Sequence, residues 1–365
     1  MRKKCLTMLL AMSLSLGLLC GCGDGNDTDT ADQAQNVTEV SQAEETETET
    51  AVEEPETSEE SSEEETGEAV TVRVAGLKGP TSMGLVKLWQ DEEDGTALGD
   101  YEISMMTGAD EIMPLMMKGE LDIALLPANA AAILYQKSEG AVSVIDINTL
   151  GVLYIVSGDQ SISEIADLKG KTVYLTGKGT TPDYVLQYLL AQNGIDLSEV
   201  TLEYKSEATE VAAVLKENPD AIGLLPQPFV TAACAQNEAL SVVLDINEEW
   251  EKLNDGQGLV TGVTVVRKAF LEENPEAVDL FMEEHKASAA FANDNVEEAA
   301  ELVAARGIVE KAAVAAKAIP ACHITYIDGA EMKEALSGYL QVLFEQNPEF
   351  IGGAMPEDDF YTIIR

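Results

Sequence analysis

Two short loops hold the residue types best suited to gripping a small solute. The first is Lys78-Gly79-Pro80-Thr81-Ser82, and the second is Thr176-Gly177-Lys178-Gly179-Thr180-Thr181-Pro182. Each joins a strand-like run to a helix-like run. Glycine lets the backbone approach a ligand closely. Thr and Ser at a helix start expose hydroxyls beside free N–H groups. The partial positive charge of a helix N-terminus favours an anionic or carbonyl-bearing group. Simple N-capping accounts for the same Thr and Ser, but the placement of one loop in each half favours ligand contact. Lys78 and Lys178 lean toward an anionic group, although each can equally face solvent. Neither loop is a nucleotide P-loop: Thr172, not glycine, stands six positions before Lys178, and Gly179 follows it where Ser or Thr is required.

The turns after Pro127 and Pro226 are the next candidates. They supply Asn129 on one side and Gln227-Pro228-Phe229 on the other. Turns at the carboxyl ends of strands line the crevice of an open α/β sheet. Asn129 and Gln227 each offer donor and acceptor. Phe229 suits a planar ligand, although an aromatic at a helix start also suits a core. Trp250 fits either a cleft wall or a packing staple in the second half. Met105, Met106, Met113, Met116 and Met117 read as core filler, and His285, among acids, as a surface residue. Two histidines, His285 and His323, and two distant cysteines, Cys234 and Cys322, give no metal-ligand spacing. No G-x-S-x-G elbow or His–Asp constellation is present. The chemistry on offer is binding, with no catalytic residue, metal or cofactor.

These residues need elements to position them. Val72 to Ala75, Tyr101 to Met105, Leu121 to Leu126 and Val142 to Ile147 read as strands. They alternate with helices at Met83 to Gln90, Asp110 to Lys118 and Asn129 to Gln136, which argues for an α/β sheet with crossover helices. Glu111 to Asn148 aligns without gaps on Glu210 to Asn247 at an offset of 99, with ten of thirty-eight positions identical. Leu125-Leu126-Pro127 meets Leu224-Leu225-Pro226, and Asp146-Ile147-Asn148 meets Asp245-Ile246-Asn247. Such an echo predicts two lobes built to one plan. The apolar runs Gly151 to Ser157 and Val260 to Val266 would carry the chain out of the first lobe and back. Helices at Asn274 to Phe291, Val296 to Ala305, Lys311 to Ala318 and Ala330 to Glu345 complete the chain. The predicted division is 70–155 with 262–365 as lobe one and 156–261 as lobe two. The length suffices for two separate cores.

The N-terminus reads as an address. Arg2, Lys3 and Lys4 precede the apolar run Leu6 to Leu19, which is too short to span a bilayer comfortably. The run ends at Leu19-Cys20-Gly21-Cys22, so 1–21 reads as a lipoprotein signal peptide. Cys22 is then the lipidated first residue, because bulky Leu19 disfavours Cys20. Residues 22–69 follow as a tether. From Gly23 to Glu68 it holds eighteen acidic residues and no Lys or Arg. Such a segment cannot bury enough apolar surface to offset its ordering entropy and is expected to be disordered. The whole chain carries a net charge of −44, and the part beyond the tether still carries about −29. That charge argues against nucleic-acid binding.

Lys78-Gly79-Pro80, Leu126-Pro127-Ala128-Asn129, Ile165-Ala166-Asp167-Leu168-Lys169-Gly170-Lys171-Thr172-Val173 and the Thr176 to Pro182 loop carry a resemblance. From about Val72 onward the chain resembles bacterial ABC-importer substrate-binding lipoproteins. The branch is the one named for nitrate, sulfonate, taurine and thiamine-pyrimidine-precursor binding. It also contains a yeast-type pyrimidine-synthesis enzyme, whose Cys-rich motif and histidines have no counterpart here. The resemblance implies the type II periplasmic-binding-protein fold: two α/β lobes, a two-strand hinge and a ligand in the cleft. It implies an extracytoplasmic, lipid-anchored, monomeric receptor that captures a small anionic or planar heteroaromatic solute and delivers it to an ABC permease and ATPase. Lys78, Gly79, Pro80, Thr81, Ser82 and Asn129 would hold the solute from lobe one. Gly179, Thr180, Thr181, Gln227, Phe229 and Trp250 would hold it from lobe two. Alternatives are a sensor module signalling to a membrane kinase, an enzyme on the same scaffold, and a surface lipoprotein with an empty cleft.

Overall fold

The computed structural model describes residues 70–363. The leader, Cys22 and the acidic tether lie outside the described residues. The first third builds β1 (Thr71–Leu77), a 3-10 turn at Pro80–Leu85 leading into α1 (Val86–Glu93), β2 (Asp100–Met106), α2 (Ala109–Lys118), β3 (Ile123–Pro127), α3 (Ala128–Lys137) and β4 (Val142–Thr149). The middle builds β5 (Leu153–Ser157), β6 (Thr172–Leu175), α4 (Thr181–Gln192), β7 (Thr201–Tyr204), α5 (Ala208–Glu217), β8 (Ile222–Pro226), α6 (Phe229–Gln236), β9 (Ser241–Asp245) and α7 (Ile246–Glu251). The last third builds β10 (Gly262–Arg267), α8 (Lys268–Glu273), α9 (Pro275–Asp294), α10 (Val296–Ala305), α11 (Ala312–Ala318), β11 (Ile324–Ile327) and α12 (Gly329–Gln346).

The strands form two sheets, β11-β4-β10-β3-β1-β2 and β7-β6-β8-β5-β9. Each sheet is parallel except where the chain passes through and, in the first, at the edge strand β11, which runs antiparallel to β4. In the first, β1 runs parallel to β2 and β3, while β10 runs antiparallel to β3 and β4. In the second, β6 runs parallel to β7 and β8, while β5 runs antiparallel to β8 and β9. The sheets therefore superpose in plan: β1, β2, β3, β4 and β10 correspond to β6, β7, β8, β9 and β5. The sequence echo is this correspondence. Helix α2 begins at Ala109 and α5 at Ala208, and β3 ends at Pro127 and β8 at Pro226. Both central strands are buried over their first four residues, Ile123–Leu126 and Ile222–Leu225. Burial on both faces is why they read as unbroken apolar runs rather than alternating ones. Gly119, at φ 72°, ends α2 in the left-handed conformation that favours glycine.

The chain leaves the first sheet after Thr149 and enters the second at Leu153; it returns before Gly262. The two passages run side by side, with Thr261 N–H donating to Thr149 O at 3.0 Å. Instead of two separate cores, the largest apolar cluster runs through both sheets. It reaches from Leu126 and Val263 through Leu153 and Trp250 to Leu186, and takes in Tyr339 and Leu343 of α12. Helix α12 causes this continuity, because it packs on β4 and also on α4. Under the first sheet, Asp122 joins three strands. Arg73 donates to it from Nε and Nη2, each at 2.7 Å, and Arg267 from Nη2 at 2.6 Å.

His285 departs from its surface expectation and is fully buried. Its neighbours Glu283 and Glu284 are acidic, but the helical period places it with Val278, Phe281, Ser288 and Ala292 on the buried face of α9. Its ring stacks on Phe281 and its Nδ1 stands 3.5 Å from the buried Asp146 carboxylate. The methionines divide: Met116 is core, as expected of filler, whereas Met117 is 48 % exposed. Cys234 and Cys322 are both free, and burial pushes the Cys322 thiol up to about 12.

Candidate functional site

Both loops singled out in the sequence lie at the carboxyl end of a strand and open a helix. In the first lobe, Gly79 precedes the turn of Pro80–Leu85, and Ser82 N–H donates to Gly79 O at 3.2 Å. Lys78 is exposed and makes no ion pair among the described residues. Thr81 and Ser82 turn inward and are buried. Gly76 makes room for Ser82, since a Cβ there would lie 2.4 Å from Ser82 Oγ. That hydroxyl has no partner among the described residues.

Thr81 meets a polar floor that the sequence did not reveal. A Cβ at Gly262 would lie 2.6 Å from Thr81 Cγ2 and 2.4 Å from Asn148 Oδ1. Asn148 donates from Nδ2 to Thr264 Oγ1 at 3.1 Å, and its Oδ1 accepts from Thr149 Oγ1 at 3.0 Å. Thr264 in turn donates to Asp146 Oδ1 at 3.0 Å. Gly262 is paired with Pro127, so the proline turn reaches the same place. Asn129, half-buried, follows in the first turn of α3. Thr81 thus lies against Gly262, Ser82 against Gly76, and Asn129 two residues beyond the Pro127 that pairs with Gly262. Asn148 and Thr149 were missed because nothing local marks them. Their only signal was the repeated Asp-Ile-Asn triplet.

In the second lobe the loop folds on itself. Asp183, buried in the first turn of α4, accepts from Gly179 N–H at 2.8 Å, from Gln187 Nε2 at 2.6 Å and from Tyr204 Oη at 2.7 Å. Thr180 Oγ1 donates to Gly177 O at 2.6 Å instead of capping the helix. Tyr184 O–H donates to Gly179 O. Lys178 is exposed, with its ammonium 5.2 Å from the Tyr204 ring centroid. The Gly179 and Thr180 N–H groups and the Thr180 hydroxyl are thus engaged by neighbours. Burial and the Asp183 carboxylate push the Tyr204 phenol above its ordinary range, so it remains a donor.

Gln227 lies where the chain passes between lobes. Its N–H donates to Val152 O at 2.9 Å, and its Oε1 accepts from Thr231 Oγ1 at 2.8 Å. Phe229, two residues on, is 37 % exposed at the start of α6 and is not core. Thr181 and Trp250 go elsewhere. Thr181 lies beside Tyr339 of α12, and Trp250 packs between Tyr188 and Tyr339 with ring centroids 5.0 and 5.7 Å away. Trp250 is 2 % exposed and borders a cavity of about 180 Å³ with Gln257, Gly338 and Tyr339. Gln227 thus lies at the passages, whereas Thr181 and Trp250 lie at Tyr339.

Two α/β lobes of one plan, joined by paired passages, narrow the possibilities to few families. The family model described as NMT1/THI5 like matches residues 100–299. The chain belongs to the NMT1/THI5-like family. A solved structure of an ABC transporter from Parabacteroides distasonis is 24 % identical. It superposes with a TM-score of 0.69 over 81 % of this chain and 99 % of that one. The periplasmic aliphatic sulphonate binding protein SsuA of Escherichia coli is 17 % identical, with a TM-score of 0.62 over 80 % of this chain and 95 % of its own. The periplasmic nitrate-binding protein NrtA of Synechocystis PCC 6803 is 14 % identical, with a TM-score of 0.53 over 77 % of this chain and 82 % of its own. These likenesses establish the type II periplasmic-binding-protein fold for this NMT1/THI5-like chain. A Brucella abortus protein designated as a binding protein is 25 % identical over 194 residues, 53 % of this chain. The chain spans 58 % of the length of that curated relative.

Proposed function

We propose that this NMT1/THI5-like protein is the extracytoplasmic solute receptor of an ABC importer, anchored through lipid on Cys22. The observation that carries it is the duplicated placement of the candidate loops. Each lobe offers a strand-to-helix loop and a proline turn at the carboxyl ends of its parallel strands, the place where open α/β sheets take ligands. The lobes divide at the two passages, and contacts from both lobes to one solute would drive closure. Lys78, Gly79, Pro80, Thr81, Ser82 and Asn129 form the first half of the site. Gly179, Thr180, Gln227 and Phe229 form the second, and Thr181 and Trp250 back it through Tyr339. The solute class is a small anion such as a sulfonate or nitrate. Support comes from exposed Lys78 without a carboxylate partner among the described residues, from the Ser82 hydroxyl, likewise unpartnered among them, and from the ligands named for the Escherichia coli and Synechocystis proteins. Phe229, exposed at the start of α6, supports a second class, a planar heteroaromatic solute. A permease and an ATPase are the partners this role requires.

A thermal-shift panel of sulfonates, nitrate, pyrimidines, aromatic acids, amino acids and peptides tests the proposal. A ligand at a hundredfold excess over its Kd stabilises the folded state by about 2.7 kcal/mol. A shift confined to sulfonates or nitrate supports the anion class, and one confined to pyrimidines supports the second. Response to none of the panel, in folded protein freed of carried-over solute, would count against a receptor for these classes. Turnover of a bound compound would favour an enzyme.

A further inference from the structure

The matched Asp-Ile-Asn triplets have a structural counterpart at the passages. In each lobe the asparagine stands against a glycine where the chain enters that lobe from the other. Asn148 faces Gly262, and Asn247 faces Gly151. A Cβ at Gly262 would lie 2.4 Å from Asn148 Oδ1, and one at Gly151 would lie 2.8 Å from Asn247 Oδ1 and 2.6 Å from its Cβ. The glycines are therefore needed for close approach.

The two asparagines are wired differently. Asn148 is satisfied within its own lobe by Thr264 and Thr149. Asn247 reaches both passages. Its Oδ1 accepts from Gly151 N–H at 3.3 Å on the outgoing passage and from Leu259 N–H at 2.8 Å on the returning one. Its Nδ2 donates to Glu251 Oε1 at 2.6 Å, which fixes the amide orientation. The side chain is nearly inaccessible, at 6 % exposed. Gly151 is also held from the other lobe. His323, in the left-handed conformation at φ 44°, directs Nδ1 at Gly151 O, and its own carbonyl accepts from Leu150 N–H at 3.1 Å. Gly151 thus has its N–H tied to α7 and its carbonyl tied to the residue preceding β11.

We propose that Asn247 is a positioning residue for solute capture: it ties the two passages so that they turn together, with Gly151 as the pivot between Asn247 and His323. This deepens the receptor reading and rests on it, because a tied hinge couples contacts on one lobe to motion of the other. A single oxygen shared by two N–H donors has no substitute when removed, and both donors are shielded from water.

The test needs no solute, so its failure and that of the receptor reading are separable. Hydrogen exchange of the full chain reads the amides of Gly151 and Leu259. Interlobe energy transfer, between fluorophores carried at the exposed positions Leu98 and Leu197, reads hinge angle. Asn247→Ala is expected to speed exchange at both amides about tenfold and to shift the transfer distribution, with β3 and β8 protection unchanged. Asn148→Ala is expected to leave the transfer distribution unmoved. Exchanging the amide and carboxylate, Asn247→Asp with Glu251→Gln, restores an acceptor and its supporting donor and should recover the parent distribution. Should Asn247→Ala not fold, Asn247→Ser against the exchanged pair gives the same comparison. Faster exchange with an unmoved distribution, or an equal shift in Asn148→Ala, would overturn the proposal.

Discussion

Replacing Gly262 by alanine probes the polar floor directly. The new methyl would lie 2.4 Å from Asn148 Oδ1, 2.6 Å from Thr81 Cγ2 and 3.2 Å from Thr149 Cβ. None of these neighbours can retreat easily, because all three are buried. The backbone cannot slide either, since Gly262 pairs with Pro127 on one side and Thr149 on the other. Overpacking of this kind costs about 1–3 kcal/mol. Displacing Asn148 would also disturb its bonds to Thr264 and Thr149, each contributing about 1 kcal/mol. The upper end, about 3 kcal/mol, is therefore expected, or a fall of roughly 6 °C or more in Tm. Thermal and urea denaturation followed by circular dichroism measure it. A double-mutant cycle with Thr81→Ser sharpens the test. Alone, that change removes a buried methyl and should cost about 0.5–1.5 kcal/mol. In the Gly262→Ala background it removes the 2.6 Å collision and should instead restore stability. A coupling of at least about 1 kcal/mol is expected. Gly262→Ala within about 0.5 kcal/mol of the parent, or Thr81→Ser equally costly in both backgrounds, would show that this floor is not close-packed.

Two further predictions concern the framework. Burial opposes ionisation of Asp122, yet hydrogen bonds from Arg73 and Arg267 outweigh it and hold the carboxyl below its ordinary range. A depressed carboxylate pKa contributes stability that is present above the unfolded value, about 3.9, and lost as pH falls through the folded one. Asp122→Asn should therefore cost roughly 1.5–3 kcal/mol near neutrality and lessen the acid dependence below about pH 4; an unchanged acid limb in denaturation titrations would contradict this. Trp250→Ala should cost about 3–5 kcal/mol by emptying the space between Tyr188 and Tyr339. Trp250→Phe should recover much of that and keep solute affinity, whereas a folded Trp250→Phe without affinity would make the indole a direct ligand contact.

The plan of the fold was legible where sequence and burial share a period. β3 and β8 are short, buried on both faces and closed by proline, so Leu125-Leu126-Pro127 and Leu224-Leu225-Pro226 align by residue type alone. The loops at Lys78 and Thr176 were legible because Gly, Pro and Thr mark strand-to-helix turns. β11 was not: it has four residues, and its pairing with β4 is interrupted by a register shift. His285 misled because acidic neighbours in sequence are not neighbours around a helix. The engagement of Gly179 N–H by Asp183, and of Trp250 by Tyr339, depends on how the folded backbone turns back on itself. No local spacing encodes such partners.

An acidic receptor for an anion is contradictory only if net charge is taken as the ligand's environment. The part beyond the tether carries about −29, but exposed charges are screened beyond about 8 Å at physiological salt. What matters at the proposed site is the first few ångströms. There the chain provides an ammonium at Lys78 without an ion-pair partner among the described residues, a helix start at Pro80 and the buried hydroxyl of Ser82. The nearest buried carboxylate of the floor, Asp146, is separated from Thr81 by Thr264 and Asn148, whose donors face it in series. That arrangement turns the Asn148 carbonyl toward Gly262 and Thr149 rather than leaving a bare carboxylate beneath the crevice. Solute selectivity on this proposal is a property of a few short-range donors, and the acidic exterior is free to serve solubility.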